Sequence, residues 1–385
     1  MTSQTEIRVL EISPPESLDS PEAELFHGGV DVEFAIAKQE RGYTDLCPSA
    51  EEVLVSLRSQ KYYKKIRLAA VAGLAGAPRR EDVLGWASID LPRHDNLHLA
   101  EVHVAVRPEC RGRGVGTALY SAAEELARDA GRTTILAWSD HRDAPSTRGD
   151  DDSGLEAEAI LRPPTGIGGV PPDDAPTRFA VRNGFQLEQV GRHSVLPAPI
   201  DSEHNSALLS AAEQRANVPE TYQLVTWKNR CPDEWLEQFA KLRQKMSTDA
   251  PMAGLEIEEE DWDGARIRDE EDRTLAFGRT SYVTAALHVQ SGLLAAFTAI
   301  ETVARSTEFA FQGDTLVIKG HRGNKLGQLV KAVNLARVLT ENPGLKRIHT
   351  WNAAGNSYML RVNLDQGYRP EDVEGEWQKR LQESG

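Results

Sequence analysis

Cysteine is scarce in this sequence. The three present, Cys47, Cys110 and Cys231, are far apart, odd in number and without a Cys-x-x-Cys pair, so neither a disulfide framework nor a zinc knuckle is supported and a cytoplasmic location is expected. Long apolar runs are lacking too. The most apolar stretch, Val283 to Ile300, still contains Thr284, His288, Gln290, Ser291, Gly292 and Thr298, short of the roughly 20 mainly apolar residues of a membrane span. The opening MTSQTEIRVLEISPPESLDSPEAE has no basic segment followed by an apolar one, so no signal peptide is expected. Positive charge is in deficit: 44 Lys and Arg stand against 59 Asp and Glu, a net charge of −15, which disfavours nucleic acid or an anionic bilayer as partner and suits a neutral or cationic one. The ten histidines form no His-x-x-His or His/Cys cluster, and no Gly-x-Ser-x-Gly elbow occurs. No metal site is therefore expected, and nothing marks a covalent nucleophile.

What is present reads as an ordinary soluble globular chain of two domains, because 385 residues exceed one typical core and the composition, 40% hydrophobic and 27% charged, is unexceptional. The chain also repeats itself. Arg111-Gly-Arg-Gly-Val-Gly116 and the helical run after it have a counterpart 211 residues later in Arg322-Gly-Asn-Lys-Leu-Gly327. Short strand-like runs follow, ending in Trp138 and Trp351, and each half closes on a Gly-aromatic pair, Gly184-Phe185 and Gly367-Tyr368. The first half carries extra residues at 142 to 177, a Pro/Gly/Asp-rich stretch expected to be a surface excursion, with a lid as the alternative. The expected organisation is a first domain over 1–200 with that insertion, a partly helical linker over 201–221, and a second domain over 222–385. In each half strand-like runs such as RLAAVAGLAG, DVLGWASIDL and LHLAEVHVAV, or RTSYVTAALHV, GLLAAFTAIETV and DTLVIKG, sit between helical ones. The fold class is α/β with sheets that pair mostly as meanders, which disfavours a doubly wound sheet.

A strand ending at Val106, a loop with three glycines and a helix opening near Gly116 together suit a pyrophosphate: glycines let main-chain N–H groups approach the anion, and a helix N-terminus adds roughly half a positive charge. A tight strand-to-helix turn is the alternative for such a loop by itself. A P-loop is excluded because no Gly-Lys-Ser/Thr ends it, and a dinucleotide fold because no acidic ribose clamp follows a second strand.

Val104-x-Val106-Arg107-Pro108-x-x-Arg111-Gly112-Arg113-Gly114-Val115-Gly116-Thr117 resembles the Arg/Gln-x-x-Gly-x-Gly/Ala motif of the GNAT superfamily of N-acyltransferases. With two copies, the chain is similar to the tandem GNAT proteins of actinobacteria, over most of residues 30 to 370. The resemblance implies two GNAT folds, each a mixed, mostly antiparallel twisted sheet flanked by helices. It implies acetyl-CoA as co-substrate, with no metal, a small-molecule amine as acceptor, and a monomer or homodimer. Carried over, main-chain groups at Val104 and Val106 would pair with the pantetheine arm, and Arg111, Gly112, Arg113, Gly114, Gly116 and Thr117 would hold the pyrophosphate. The second copy offers Val317, then Arg322, Gly323, Asn324, Lys325 and Gly327, with Lys325 where a glycine is expected, and Asn352 and Asn356 after the next strand. The family's tyrosine proton donor is replaced by Ala180 in one half and Asn363 in the other, leaving Tyr358 as a substitute.

Lysine-like amines start near pKa 10.4, so a base has a clear task. Glu101, on the strand before the first loop, is the expected base, sharing a face with His103; in the second half Gln312 and Asp314 take those two positions, and Asp314 is the candidate. The acidic run Glu256 to Asp263 with Trp262 reads either as part of a cationic-substrate site or as an acidic helix start. The expected function is acetyl transfer to a primary amine by direct attack. The alternatives are an acyl-CoA-sensing tandem module and, within the enzyme class, a mycothiol-synthase-like or antibiotic-modifying acetyltransferase.

Overall fold

The computed structural model describes residues 6–73, 77–142, 160–199, 201–249 and 252–382. By contacts the chain divides into one unit of residues 1–137 with 378–385 and another of residues 138–377.

The first unit contains β1 (Ile7–Glu11), α1 (Glu24–Glu40), α2 (Ala50–Arg58), β2 (Tyr63–Ala72), β3 (Val83–Pro92), β4 (Leu99–Val106), α3 (Val115–Asp129) and the start of β5 (Thr134–His141). The sheet order is β1-β2-β3-β4-β5. All neighbours are antiparallel except β4 and β5, which the α3 crossover makes parallel. Local chemistry sets α2: the Ser49 hydroxyl accepts from Glu52 N at 3.3 Å while the Glu52 carboxylate accepts from Ser49 N at 2.8 Å, a reciprocal capping box. β1 and α1 have no counterpart in the sequence reading. α1 contains Gly28 and Gly29, poor helix formers, and tertiary packing overrides that cost. A Cβ on Gly29 would fall 1.8 Å from the Trp86 ring, so only glycine lets the helix lie against β3. Phe26, fully buried, meets Trp86 edge to face at 6.2 Å.

The second unit continues from the end of β5 through α4 (Ala175–Arg182), β6 (Gln186–Pro197), α5 (Ser202–Ala216), β7 (Tyr222–Lys228), α6 (Leu236–Asp249) and α7 (Gly264–Ala276). There follow β8 (Arg279–His288), β9 (Leu293–Val303), β10 (Ser306–Val317), α8 (Leu326–Glu341), β11 (Arg347–Ala353), α9 (Ser357–Gln366) and β12 (Arg369–Arg380). Its order is β12-β6-β11-β10-β9-β8-β7. As in the first unit, a parallel pair, β10 with β11, brackets a helix, α8. Both units are therefore mixed, mostly antiparallel sheets with flanking helices, as the sequence leads one to expect.

The contact-defined units do not follow sequence order. β6 lies before residue 200, yet it pairs antiparallel with β11, from Arg347 opposite Pro197 to Ala353 opposite Gly191. The pairing carries a buried polar core: His193 Nδ1 is 3.2 Å from an Asp372 carboxylate oxygen, His193 Nε2 is 3.0 Å from His349 Nδ1, and Trp351 stacks on His193 at 4.5 Å. Part of the 142–177 excursion, residues 143–159, lies outside the described residues. Its remainder contains an internal antiparallel bridge, Leu161 to Val170. The helical part expected within 201–221 is α5, which falls inside the second unit.

Candidate functional site

β4 pairs with β3 from Glu101 to Val106, but its pairing with β5 covers only Leu99 to Glu101. Beyond Glu101 the β5-facing edge of β4, which includes Val104 and Val106, keeps main-chain groups outside that ladder. The chain then makes a 3-10 turn at Pro108–Cys110 and enters α3 through Arg111–Gly114. Gly112 has φ +75° and Gly114 φ +87°, the left-handed region that glycine occupies at no steric cost. Gly114 is the N-cap residue of α3 and no side chain caps the helix. The first N–H groups of α3 thus lack a side-chain partner at the place where the helix dipole is positive. Arg111 turns back at this point, its Nη2 donating to Glu40 Oε1 at 2.7 Å and its Nε to the Val106 carbonyl at 3.4 Å.

The second loop repeats this geometry. β10 pairs with β11 only from Phe309 to Phe311, and its register with β9 shifts between Gln312 and Thr315. After a 3-10 turn at Lys319–His321, Gly323 has φ +87° and Lys325, the N-cap of α8, has φ +54°. Lys325 therefore adopts the left-handed backbone of Gly114 and holds its side chain exposed, at a steric cost of roughly 1–2 kcal/mol. Arg322 Nε donates to the Val317 carbonyl at 3.1 Å and its Nη2 to Asp249 at 3.3 Å, as Arg111 does to Val106 and Glu40. Two features of this loop have no signal in the sequence. Arg215 of α5 donates to the Gly323 carbonyl at 3.3 Å. The Tyr222 hydroxyl lies 2.8 Å from His321 Nδ1 and 3.4 Å from Asn324 Nδ2, and His288 packs on His321 at 4.7 Å. Burial and the neighbouring His288 hold His321 below the usual imidazole range.

The proposed bases sit in unlike surroundings. Glu101 is partly buried on β4, opposite Asp90 of β3. His103, two residues on, is exposed and lies 3.1 Å from Glu33 of α1. At the corresponding places in the second half, Gln312 is buried, donating to the Ala299 carbonyl at 2.8 Å, and Asp314 is ion-paired with Arg243 of α6. A guanidinium on its carboxylate competes with any amine for it. Asn356 Oδ1 caps α9 by accepting from Met359 N at 3.2 Å, while Asn352 Oδ1 accepts from Asn363 Nδ2 at 2.6 Å. The Asn363 amide N–H is thus engaged by Asn352 in a partly buried pair. Tyr358 is 54% exposed, and a Cβ on Gly327, in the first turn of α8, would stand 3.9 Å from its hydroxyl. Partial burial raises that hydroxyl's pKa.

The acidic run before α7 is not helical up to its last residue. α7 begins at Gly264, with Asp263 as N-cap accepting from Arg266 N at 2.8 Å. Trp262 donates to Glu260 at 2.7 Å, and Arg243 and Arg266 lie over its ring at 4.7 and 4.5 Å. Among the described residues no group of three His, Cys, Asp or Glu side chains is placed to hold a metal ion, and no helix is long and apolar enough to cross a membrane.

Residues 41–148 match the Acetyltransferase (GNAT) family. No curated protein matches the chain in sequence. Among solved structures, it is similar to a tandem GNAT protein from the clavulanic acid biosynthesis pathway, solved without acetyl-CoA, at 25% identity over 99% of this chain and 100% of that one, with a TM-score of 0.69. A GCN5-related N-acetyltransferase from Sphaerobacter thermophilus shares the fold at 13% identity, covering 97% and 95% of the two chains with a TM-score of 0.58. A putative acetyltransferase from Pyrococcus horikoshii does so at 10% identity, covering 99% and 91%, with a TM-score of 0.51.

Proposed function

We propose that this chain, a tandem member of the GNAT acetyltransferase superfamily, transfers an acetyl group from acetyl-CoA to the primary amine of a small, cationic molecule by direct attack. The observation that carries the reading is the Arg111–Gly114 loop, where two glycines at positive φ open the uncapped N-terminus of α3. Four N–H groups at a helix start and a positive dipole end suit a pyrophosphate. Arg111, once released from Glu40, would add a charge-assisted donor.

The main-chain groups of Val104 and Val106, outside the β5 ladder, would take the pantetheine amides as an added strand does. Glu101 would accept the proton of the attacking ammonium, and the β4 amides near Val104 would face the oxyanion. We read residues 1–200 as the donor-binding copy and residues 222–385 as the second copy. In the second copy Asp314 is occupied by Arg243 and Asn363 by Asn352, which favours a supporting role. The net charge of −15 suits a cationic acceptor.

Calorimetric titration with acetyl-CoA tests this, with Gly114→Trp as the variant. One site, lost in the variant, supports the reading. A site that survives would move donor binding to the Arg322 loop, and no binding at all would overturn acetyl-CoA as donor. Binding without turnover across a panel of amines would favour the sensing module.

A further inference from the structure

The second unit contains a polar chain that neither the transfer reaction nor the sequence motifs use. Ser139 Oγ on β5 lies 2.6 Å from His141 Nε2, and His141 Nδ1 lies 2.5 Å from Asp174 Oδ2. His141 is fully buried, Asp174 is the N-cap of α4, and Ser139 is only partly buried. The proton positions follow from the donors. Trp377 Nε1, which can only donate, is 2.7 Å from Ser139 Oγ. The serine accepts from the indole, which leaves its own proton free to point at His141 Nε2; the neutral imidazole that takes that bond carries its proton on Nδ1, facing the carboxylate. Burial works to raise the Asp174 pKa, but the hydrogen bonds from His141 and Thr177 outweigh it and hold the carboxyl below its ordinary value, so it stays ionised.

Two further observations set this chain apart from a casual contact. A Cβ at Gly375 would come 2.8 Å from Trp377 Nε1, 3.0 Å from Ser139 Oγ and 3.1 Å from His141 Nε2, so a side chain there would crowd all three atoms and glycine lets β12 pass beside them. In the repeat, Ser139 corresponds to Asn352, which is tied to Asn363; the residue corresponding to Asn363 is Ala180, whose methyl can make no such bond. The first copy has thus replaced an inert amide pair by an oxygen backed by a base and an orienting acid, the arrangement that activates hydroxyl nucleophiles irrespective of fold.

We propose that Ser139, with His141 as its base and Asp174 as the orienting group, is an acyl-accepting nucleophile that hydrolyses small activated esters and thioesters. Ser139 Oγ attacks the acyl carbonyl carbon, forming the C–O bond, as its proton passes to His141 Nε2. The bond from the acyl carbon to the leaving oxygen or sulfur breaks, and the leaving group takes the His141 proton. Water then attacks the acyl-serine, delivering a proton to His141, and the carboxylic acid leaves as the serine is restored. The inference is independent of the amine-transfer reading, since the probe that tests it contains no CoA.

The test uses the full chain and p-nitrophenyl acetate, reading p-nitrophenolate release and, after proteolysis, the site of acetylation by mass spectrometry. A stoichiometric burst is expected, with an acetyl group on Ser139. Ser139→Ala should abolish the burst, and His141→Asn should slow acylation by about 100-fold or more. Acetyl groups on lysines alone, no acetyl group at Ser139, or a burst unchanged in His141→Asn would overturn the proposal. The mapping is made on the unaltered protein, so it does not depend on either variant folding.

Discussion

Arg111 donates to the carboxylate of Glu40 at 2.7 Å from the loop that opens α3, so an acidic side chain at the end of α1 occupies the guanidinium that a phosphate would use. Arg322 and Asp249 hold the same relation at the end of α6. In both copies a carboxylate occupies the loop's arginine.

Glu40→Gln should therefore tighten acetyl-CoA binding. Both partners are exposed, so the pair is worth no more than about 1 kcal/mol, and the dissociation constant should fall about two- to fivefold. Titration calorimetry at two salt concentrations checks this. Unchanged affinity would mean that Arg111 does not meet the donor.

Lys325→Gly should raise stability. The position already has the backbone of Gly114, and glycine removes the left-handed strain of a side chain, a gain of about 1 kcal/mol less the entropy that glycine loses on folding. Thermal unfolding reads the change, and Gly114→Lys should shift the midpoint the other way.

Glu101→Gln should retain acetyl-CoA binding and lose turnover by about 100-fold or more, the usual contribution of a general base. Its pH–rate profile should lose the acidic limb. If turnover is retained, the proton goes to another group, and His103 with Glu33 3.1 Å away is the next to vary.

Lys331 makes stability depend on pH. It is buried on α8 with its ammonium 5.1 Å from the Tyr368 ring centre, and burial pushes its pKa down from 10.5 to about 7. Between those values the unfolded chain binds the proton and the folded chain does not, so this residue makes stability rise with pH from about 7 to 10.5. Lys331→Met should stabilise the protein most below pH 7 and little above pH 10.5. Thermal midpoints of both proteins across that range would expose the difference, and a constant offset would contradict it.

Cys231 should resist alkylation in the folded state. Burial, aided by the Glu271 carboxylate, pushes its thiol up to about 12, so almost no thiolate exists at pH 8. Iodoacetamide labelling followed by mass spectrometry should modify it only after denaturant is added.

Much of the architecture could be read in advance because its causes are local. The turn at Gly112 and Gly114 needs positive φ whatever surrounds it, and the apolar runs that become Val83–Pro92 and Leu99–Val106 read as strands from their own composition. α1 could not be read, since Gly28 and Gly29 argue against a helix until Trp86 is known to lie on them. The Ser139 chain was equally hidden. Two residues alternating on a strand and an aspartate capping a distant helix form no motif, and only the fold brings His141 to Asp174.

By itself the sequence determined that the unit is duplicated, that each copy has a glycine-bearing strand-to-helix loop, and that the chain carries a net charge of −15. These follow from periodicity, backbone conformation and charge, which need no partner. Only the tertiary structure decided that β6 joins β11, that Asp314 is held by Arg243, that Arg111 is held by Glu40, and that Ser139 is backed by a histidine. Each of these depends on groups far apart in the chain, whose meeting is set by sheet register and helix packing rather than by any residue's own preference.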